Sequence, residues 1–339
     1  MTQLGNDNDG KQQVCLSVVV PMFNESEVIE PLFIRLSKVL SQVSVTSEIV
    51  FVDDGSTDDT WQQVQQLPLS ASEHQCIRLS RNFGKEAAMT AGLEQARGLC
   101  VILLDADLQD PPELIPQMLE AWREGADVVN MRRDVRHGES WFKRFTAAAF
   151  YRVINSMSET VVPENVGDFR LLSRQVVDSI NSLPERNRFM KGILSWPGFS
   201  QTTIIFDRDP RFVGETKWNY RKLVGLAMDG ITSFSIKPLR LATWAGLITA
   251  MSAFIYGFWV FIKATVWGDA VAGYPSMMVV QLGLAGIQLL ALGLMGEYIG
   301  RIFMEVKQRP IYIIGNVVHQ ASGRDRAAKS NVSYLDKTR

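Results

Sequence analysis

The chain has 339 residues, 46% of them hydrophobic, and a near balance of 35 Lys and Arg against 36 Asp and Glu. That length accommodates one large domain of about 200 to 250 residues plus a further segment. The N-terminal stretch MTQLGNDNDGKQQ is polar, which excludes the apolar core of a signal peptide and leaves the first 240 residues expected in the cytoplasm. Three cysteines, Cys15, Cys76 and Cys100, lie in or beside apolar runs without metal-like spacing and are read as reduced core residues.

Residues 1–14 are expected to be flexible. From Leu16, short β-branched runs follow one another: LSVVV (16–20), EIVFV (48–52), CIRLS (76–80), CVILL (100–104) and DVVNM (127–131). Between them lie segments with helical period, such as SEVIEPLFIRLSKVL and PPELIPQMLEAWREG. Continuous rather than alternating apolar strands imply burial on both faces, hence a mostly parallel sheet covered by helices, an α/β domain over 15–210. In open sheets of this kind, ligands bind beyond the carboxyl ends of the strands. Three strands run into polar clusters there: PMFNE (21–25), DDGSTDDT (53–60) and DADLQDPPE (105–113).

The stretch HGESWFKRFTAAAFYRVIN (137–155) places Trp141, Phe142, Phe145, Ala149 and Val153 near one helical stripe beside Lys143, Arg144 and Arg152. It suits either a membrane interface or packing on the sheet. Residues 211–240 are a second interfacial candidate leading into an apolar run. From Leu241 to Ile262, and again from Ala270 to Gly296, there is no Asp, Glu, Lys or Arg. About 20 apolar residues cross a hydrocarbon core. Two transmembrane helices are therefore expected, 241–264 and 275–300, joined by an external loop at 265–274. Lys237 and Arg240 precede the first, and Arg301, Lys307 and Arg309 follow the second, which puts both termini on the cytoplasmic side. From Arg301 on, eight Lys or Arg face three Asp or Glu. Residues 301–339 are thus expected to be a basic cytoplasmic tail, either against an anionic leaflet or, past Gln320, solvated. Gly283, Gly286, Gly293, Gly296 and Gly300 would let the second span pack closely in a homo-oligomer.

Asp105 and Asp107 are two apart, so on an extended strand end their side chains share one side. Two close carboxylates repel unless a cation or proton separates them. Mg²⁺ or Mn²⁺ takes one or two protein carboxylates plus phosphate oxygens and waters, which suits this pair; a turn or capping role is the alternative. Lys85 and Arg81, in SRNFGK at a helix start, are read either as phosphate contacts or as solvated charges.

In this order and spacing, VVVPMFNE, VDDGSTDDT, SRNFGKEAA, LLDADLQDPPE and GDFRLLSR resemble the inverting family 2 glycosyltransferases of GT-A fold. With the two C-terminal spans, residues 15 to 310 more closely resemble the polyprenyl-phosphate glycosyltransferases, which include bacterial undecaprenyl-phosphate glucosyl transferases and dolichyl-phosphate mannose synthases. The resemblance implies that Pro21, Asn24 and Glu25, with Asp53 or Asp54, line a nucleotide-sugar pocket together with Lys85, Asp105 and Ala106. It also implies that Asp105 and Asp107 hold the metal on the pyrophosphate, that Gln109 and Asp110 face the donor sugar, and that Asp168 is the candidate base beside Arg170.

A lipid phosphate has a second pKa near 6, so around pH 7 it is mostly a dianion and scarcely needs a base. Asp168 is therefore also read as an orienting group for the acceptor or for a cation. Bringing two phosphates together requires positive charge. Arg132, Arg133, Arg136, Arg170, Lys191 and Lys217 are available, with Arg136, Arg170 and Lys217 expected on the acceptor phosphate. The Q-x-x-R-W motif and extra spans of processive relatives do not occur, which favours a single transfer.

The expected reaction moves one hexose from a nucleotide sugar, UDP-glucose first, to undecaprenyl phosphate at the cytoplasmic face of a bacterial inner membrane. GDP-mannose, UDP-N-acetylglucosamine and an amino-arabinose nucleotide stay open as donors. A non-catalytic membrane scaffold is the distant alternative. A flippase and a downstream transferase are expected partners, and nucleic acid is not.

Overall fold

The computed structural model describes residues 14–68, 72–133, 166–186, 188, 190–194, 198–207, 237–267 and 273–320. Four strands run parallel at its centre: β1 (Leu16–Met22), β2 (Ser47–Asp53), β3 (Glu73–Leu79) and β4 (Cys100–Leu103). The sheet extends through β5 (Val128–Arg133), β6 (Val166–Ser173), β7 (Gln201–Phe206) and β8 (Ile314–Gln320) in the order β7-β5-β6-β4-β1-β2-β3-β8. β6 is antiparallel to both β4 and β5, and β8 is antiparallel to β3. The sheet is therefore mostly parallel, with β6 and β8 the two strands that run against the rest. The continuous apolar runs lie in the parallel strands β1, β2 and β4, which are buried on both faces.

β1 is buried along its whole length, as are all but the first residue of β2. Helix α1 (Ile29–Gln42) covers one face with Ile29, Leu32, Phe33, Leu36, Val39 and Leu40, the three-and-four spacing of an amphipathic helix. Helix α2 (Thr60–Gln66) follows β2. Helix α3 (Lys85–Gln95) packs on β1 and β2 and is buried from Ala87 to Leu93. Its small residues permit this approach: a Cβ on Gly92 would lie 2.2 Å from Cγ1 of Val19. Helices α4 (Ile115–Arg123) and α5 (Arg174–Asn181) and the short α6 (Met190–Ile193) complete the layers. Cys15, Cys76 and Cys100 are free thiols buried in this unit.

The described residues fall into two compact units, one built on the sheet and one on the hairpin of α7 (Lys237–Trp267) and α8 (Tyr274–Val306). These helices of 31 and 33 residues are each roughly 45 to 50 Å long at 1.5 Å per residue. Large apolar side chains stand exposed on both, among them Trp244, Phe254 and Trp259 on α7 and Leu289, Leu290 and Phe303 on α8. Among the described residues, Gly283–Val306 is long and apolar enough to cross a membrane; a second crossing is not established by that measure.

Within the stretch read as a basic tail, Ile314–Gln320 forms β8 on the edge of the sheet. The basic residues around it draw attention from IYIIGNVV, whose β-branched content suits an edge strand.

Candidate active site

The parallel strands bring their carboxyl ends to one edge. Met22 is level with Asp53, and Val19 with Leu103, so PMFNE, DDGST and DADLQ emerge side by side. A cleft at this edge is lined by Pro21, Met22, Phe23, Glu25, Asp54, Asn82, Gly84, Lys85, Ala88, Asp105, Ala106 and Asp107.

The loop after β2 is fixed by its own polar groups. Asp53 is fully buried; Oδ1 accepts the Ser56 amide at 3.0 Å, and Oδ2 lies 3.2 Å from Nε of Arg78. It is committed to the turn and does not line the cleft. Asn24, at φ 55°, donates its amide to Ser56 Oγ at 2.9 Å and accepts the Thr57 amide on Oδ1 at 2.9 Å. It ties the first loop to the second rather than lining the cleft. Gly55 sits at φ 69°, and a Cβ there would lie 2.5 Å from the carbonyl carbon of Arg81. Strain and a clash with backbone coincide, so Gly55→Ala is expected to cost about 2–4 kcal/mol of stability, visible as a lower unfolding temperature of the purified protein.

Asp54 and α3 meet at the floor of the cleft. The Asp54 carboxylate accepts the amides of Phe83 at 2.7 Å and Gly84 at 2.9 Å, while burial pushes its pKa above the ordinary aspartate value. The anion position at the start of α3 is thus filled by the protein's own carboxylate. A phosphate entering the cleft would meet Lys85 instead. The Lys85 ammonium lies 2.6 Å from Oδ1 of Asp105 and 2.5 Å from Oδ2 of Asp168. Desolvation works to lower its pKa, but these two carboxylates outweigh that and hold it above the ordinary lysine value.

Four carboxylates, Glu25, Asp54, Asp105 and Asp107, line the cleft against one ammonium. A diphosphate would be repelled there without a further cation. Asp105 and Asp107 supply hard oxygen donors at one edge, and Mg²⁺ or Mn²⁺ characteristically takes one or two carboxylates with phosphate oxygens and water. Among the described residues no group of three or more His, Cys, Asp or Glu is placed to hold an ion alone. The donor set therefore fits an ion whose shell the substrate completes. The loop that carries the pair is bent at Leu108, a buried residue at φ 59°. Seating that side chain in the core, at about 1–3 kcal/mol of backbone strain, turns the neighbouring Asp107 to the cleft, where Oδ1 accepts the Gln109 amide at 3.2 Å.

Strand β6 brings in the distant part of the sequence. Phe169 packs edge-on against Phe206, with ring centroids 6.0 Å apart. Alternation therefore puts Asp168 and Arg170 on the opposite face, where Asp168 reaches Lys85. Arg170, expected on the acceptor phosphate, is only 1% exposed, and its Nη2 donates to the Gly167 carbonyl at 2.8 Å. Burial lowers its pKa, opposed by Asp168 and Glu86. A guanidinium so covered does not present itself to the cleft. Asp110, expected at the donor sugar, is fully buried, with Oδ1 3.9 Å from Nη2 of Arg133.

Of the residues named from sequence, Pro21, Glu25, Asp54, Lys85, Asp105, Ala106 and Asp107 line one cleft, and Asp168 joins them through Lys85. Asn24, Asp53, Gln109, Asp110 and Arg170 do not line it. Arg136 and Lys217, the 137–155 stretch and residues 211–236 lie outside the described residues. Sequence reasoning passed over Phe23, Asn82 and Gly84. Phe23 had a signal, an aromatic at the polar end of a buried strand; it is 41% exposed in the cleft and offers a face on which a base can stack.

The model of glycosyl transferase family 2 matches residues 17–180, and that of the GtrB C-terminal hairpin matches 237–302. An uncharacterized glycosyltransferase of Synechocystis is 49% identical over 302 residues, covering 89% of this chain and 95% of its own. A prophage bactoprenol glucosyl transferase homolog of Escherichia coli is 48% identical over 303 residues, 89% and 99% of the two chains. The bactoprenol glucosyl transferase of Shigella phage SfII is 48% identical over 300 residues, 88% and 97%. The likeness spans both the sheet that carries the carboxylate cleft and the helical hairpin, and the chain belongs to glycosyl transferase family 2, in the branch with the GtrB C-terminal hairpin, as a hexosyltransferase.

Proposed function

We propose that the protein transfers a single glucose from UDP-glucose to undecaprenyl phosphate, with inversion at the anomeric carbon, at the cytoplasmic face of the membrane. The observation that carries this reading is one cleft holding Asp105, Asp107 and Lys85, in a chain 48% identical to a bactoprenol glucosyl transferase over 300 residues and matching the GtrB C-terminal hairpin over 237–302. A divalent ion on Asp105 and Asp107 would supply charge neutralisation for the departing diphosphate.

The chain's own groups divide the remaining work. Phe23 presents its ring to the base, and Glu25 and Asp54 border the pocket. The acceptor phosphate, a dianion near neutral pH, attacks from the side opposite the leaving UDP without first losing a proton. Asp168 is thus an orienting group: it holds the Lys85 ammonium, and Lys85 offers the positive charge that two approaching phosphates require.

The chain belongs to the sheet unit both before the hairpin and again from Pro310 on, and two membrane crossings return a chain to the side it left. If α7 and α8 both cross, Lys237, Arg240, Arg301, Lys307 and Arg309 assign that side to the cytoplasm. A lipid-linked sugar made there needs a flippase before any transferase outside can use it, and the glycines of α8 suit contact between copies.

The test uses purified full-length protein in detergent with undecaprenyl phosphate, radiolabelled UDP-glucose, GDP-mannose, UDP-N-acetylglucosamine and an amino-arabinose nucleotide, and Mg²⁺, Mn²⁺ or EDTA. Label in the lipid phase from UDP-glucose, lost in EDTA, is the expected result. Labelling from another donor overturns the choice of sugar, and no labelling from any donor overturns the transferase reading in favour of a scaffold.

A further inference from the structure

The segment that follows the hairpin holds the cleft from behind. Helix α8 ends at Val306, and by Tyr312 the chain is back in the sheet unit. The Tyr312 hydroxyl donates to the Glu94 carboxylate in the last turn of α3. The next residue, Ile313, accepts the Ser80 amide on its carbonyl at 2.8 Å. β8 then pairs with β3, with Leu79 level with Ile314 and the register shifting between Arg78 and Leu79.

Ser80 and Glu94 bracket one segment of chain. Between them lie Asn82, Gly84, Lys85 and Ala88, which line the cleft, and the Phe83 and Gly84 amides that hold Asp54. Two consecutive residues thus grip both ends of the loop and helix that carry the Lys85 ammonium.

We propose that Tyr312 and Ile313 form a positioning clamp for the donor cleft, so that the chain leaving the membrane hairpin sets the placement of Lys85 and of the Asn82–Gly84 wall. The clamp rests on the reading of the cleft as a nucleotide-sugar site. Tyr312 touches no reacting group; it acts through α3. Burial and the Glu94 carboxylate hold its phenol above the ordinary tyrosine pKa, which keeps the proton that the bond requires. Arg188, buried close by and bonded to the carbonyls of Leu183 at 2.9 Å and Glu185 at 3.2 Å, adds positive charge that acts on Glu94 and Tyr312.

The experiment measures UDP affinity with Mn²⁺ by calorimetry on the full-length protein in detergent, beside unfolding temperature and sugar transfer. Tyr312→Phe is expected to weaken UDP binding and raise the donor KM about fivefold, the worth of one hydrogen bond. Glu94→Gln, whose amide oxygen still accepts from the phenol, is expected to keep most of the affinity. Val318→Ala, on β8 against the core, controls for stability: it should lower the unfolding temperature and leave UDP affinity unchanged. Unchanged affinity in Tyr312→Phe, or losses in both Tyr312→Phe and Val318→Ala that track stability, overturns the clamp alone. A wild type that transfers no sugar while Tyr312→Phe still weakens UDP binding overturns the transfer reading and upholds the clamp. A wild type that binds no UDP overturns both.

Discussion

Asp107→Asn is expected to reduce sugar transfer by about three orders of magnitude while the protein stays folded. Asp107 lines the cleft, and its Oδ1 accepts the Gln109 amide at 3.2 Å. An amide oxygen can still accept that bond, so the loop keeps its shape, but the charge that holds a divalent ion is gone. A thousandfold loss corresponds to about 4 kcal/mol of transition-state stabilisation, within the range for an ion that neutralises a departing diphosphate. The comparison that decides the point is a titration of transfer rate against Mn²⁺ for wild type and variant, with circular dichroism as the folding control. Full activity in the variant at ordinary Mn²⁺ would remove Asp107 from the metal site.

Lys85→Met and Asp168→Asn are each expected to lower kcat by about 100-fold, and the double variant by no more than either single change. Additive losses are the rule for independent groups, and groups that act as a unit depart from it. The unit here is geometric, because the Lys85 ammonium sits 2.5 Å from Asp168 and 2.6 Å from Asp105. If Asp168 orients Lys85, the rate stays level with pH above neutrality in wild type, since the acceptor is already a dianion. If Asp168 instead removes a proton, Asp168→Asn falls far below Lys85→Met and the losses multiply. Stopped assays of the three variants between pH 6 and 9 separate these outcomes.

The two residues of this pair were unequally visible in sequence. Lys85 follows FG at a helix start, and that position suggested phosphate contact. The structure shows the neighbouring Phe83 and Gly84 amides already bound to Asp54, so the cationic side chain rather than the helix start is what a phosphate would find. Asp168 lies 83 residues from Lys85, and no local pattern couples the two. Their pairing follows from β6 running antiparallel beside β4, a choice made by long-range packing.

Other departures have the same origin. GDFRLLSR marks Asp168 and Arg170 alike as polar residues on one face of a strand, yet one reaches the cleft and the other is covered. Asp53 and Asp54 are adjacent and chemically identical; the strand end turns one toward Arg78 and the other toward the Phe83 and Gly84 amides just before α3. Periodicity locates a side chain on a face of its element, whereas exposure depends on what packs over that face.

What the sequence determined by itself was local or covalent: buried strands as continuous β-branched runs, the DAD carboxylates at a strand end, and charge-free runs long enough for a helical hairpin. Each depends on spacing along the chain, which short-range sterics and solvent transfer read directly. The tertiary structure alone decided the reversal of β6 and β8, the joining of Asp168 to Asp105 through Lys85, the burial of Arg170, and the return of residues 314–320 to the sheet edge after the hairpin. Those contacts close loops of tens to hundreds of residues, and their free energy comes from surfaces that exist only once the sheet is assembled.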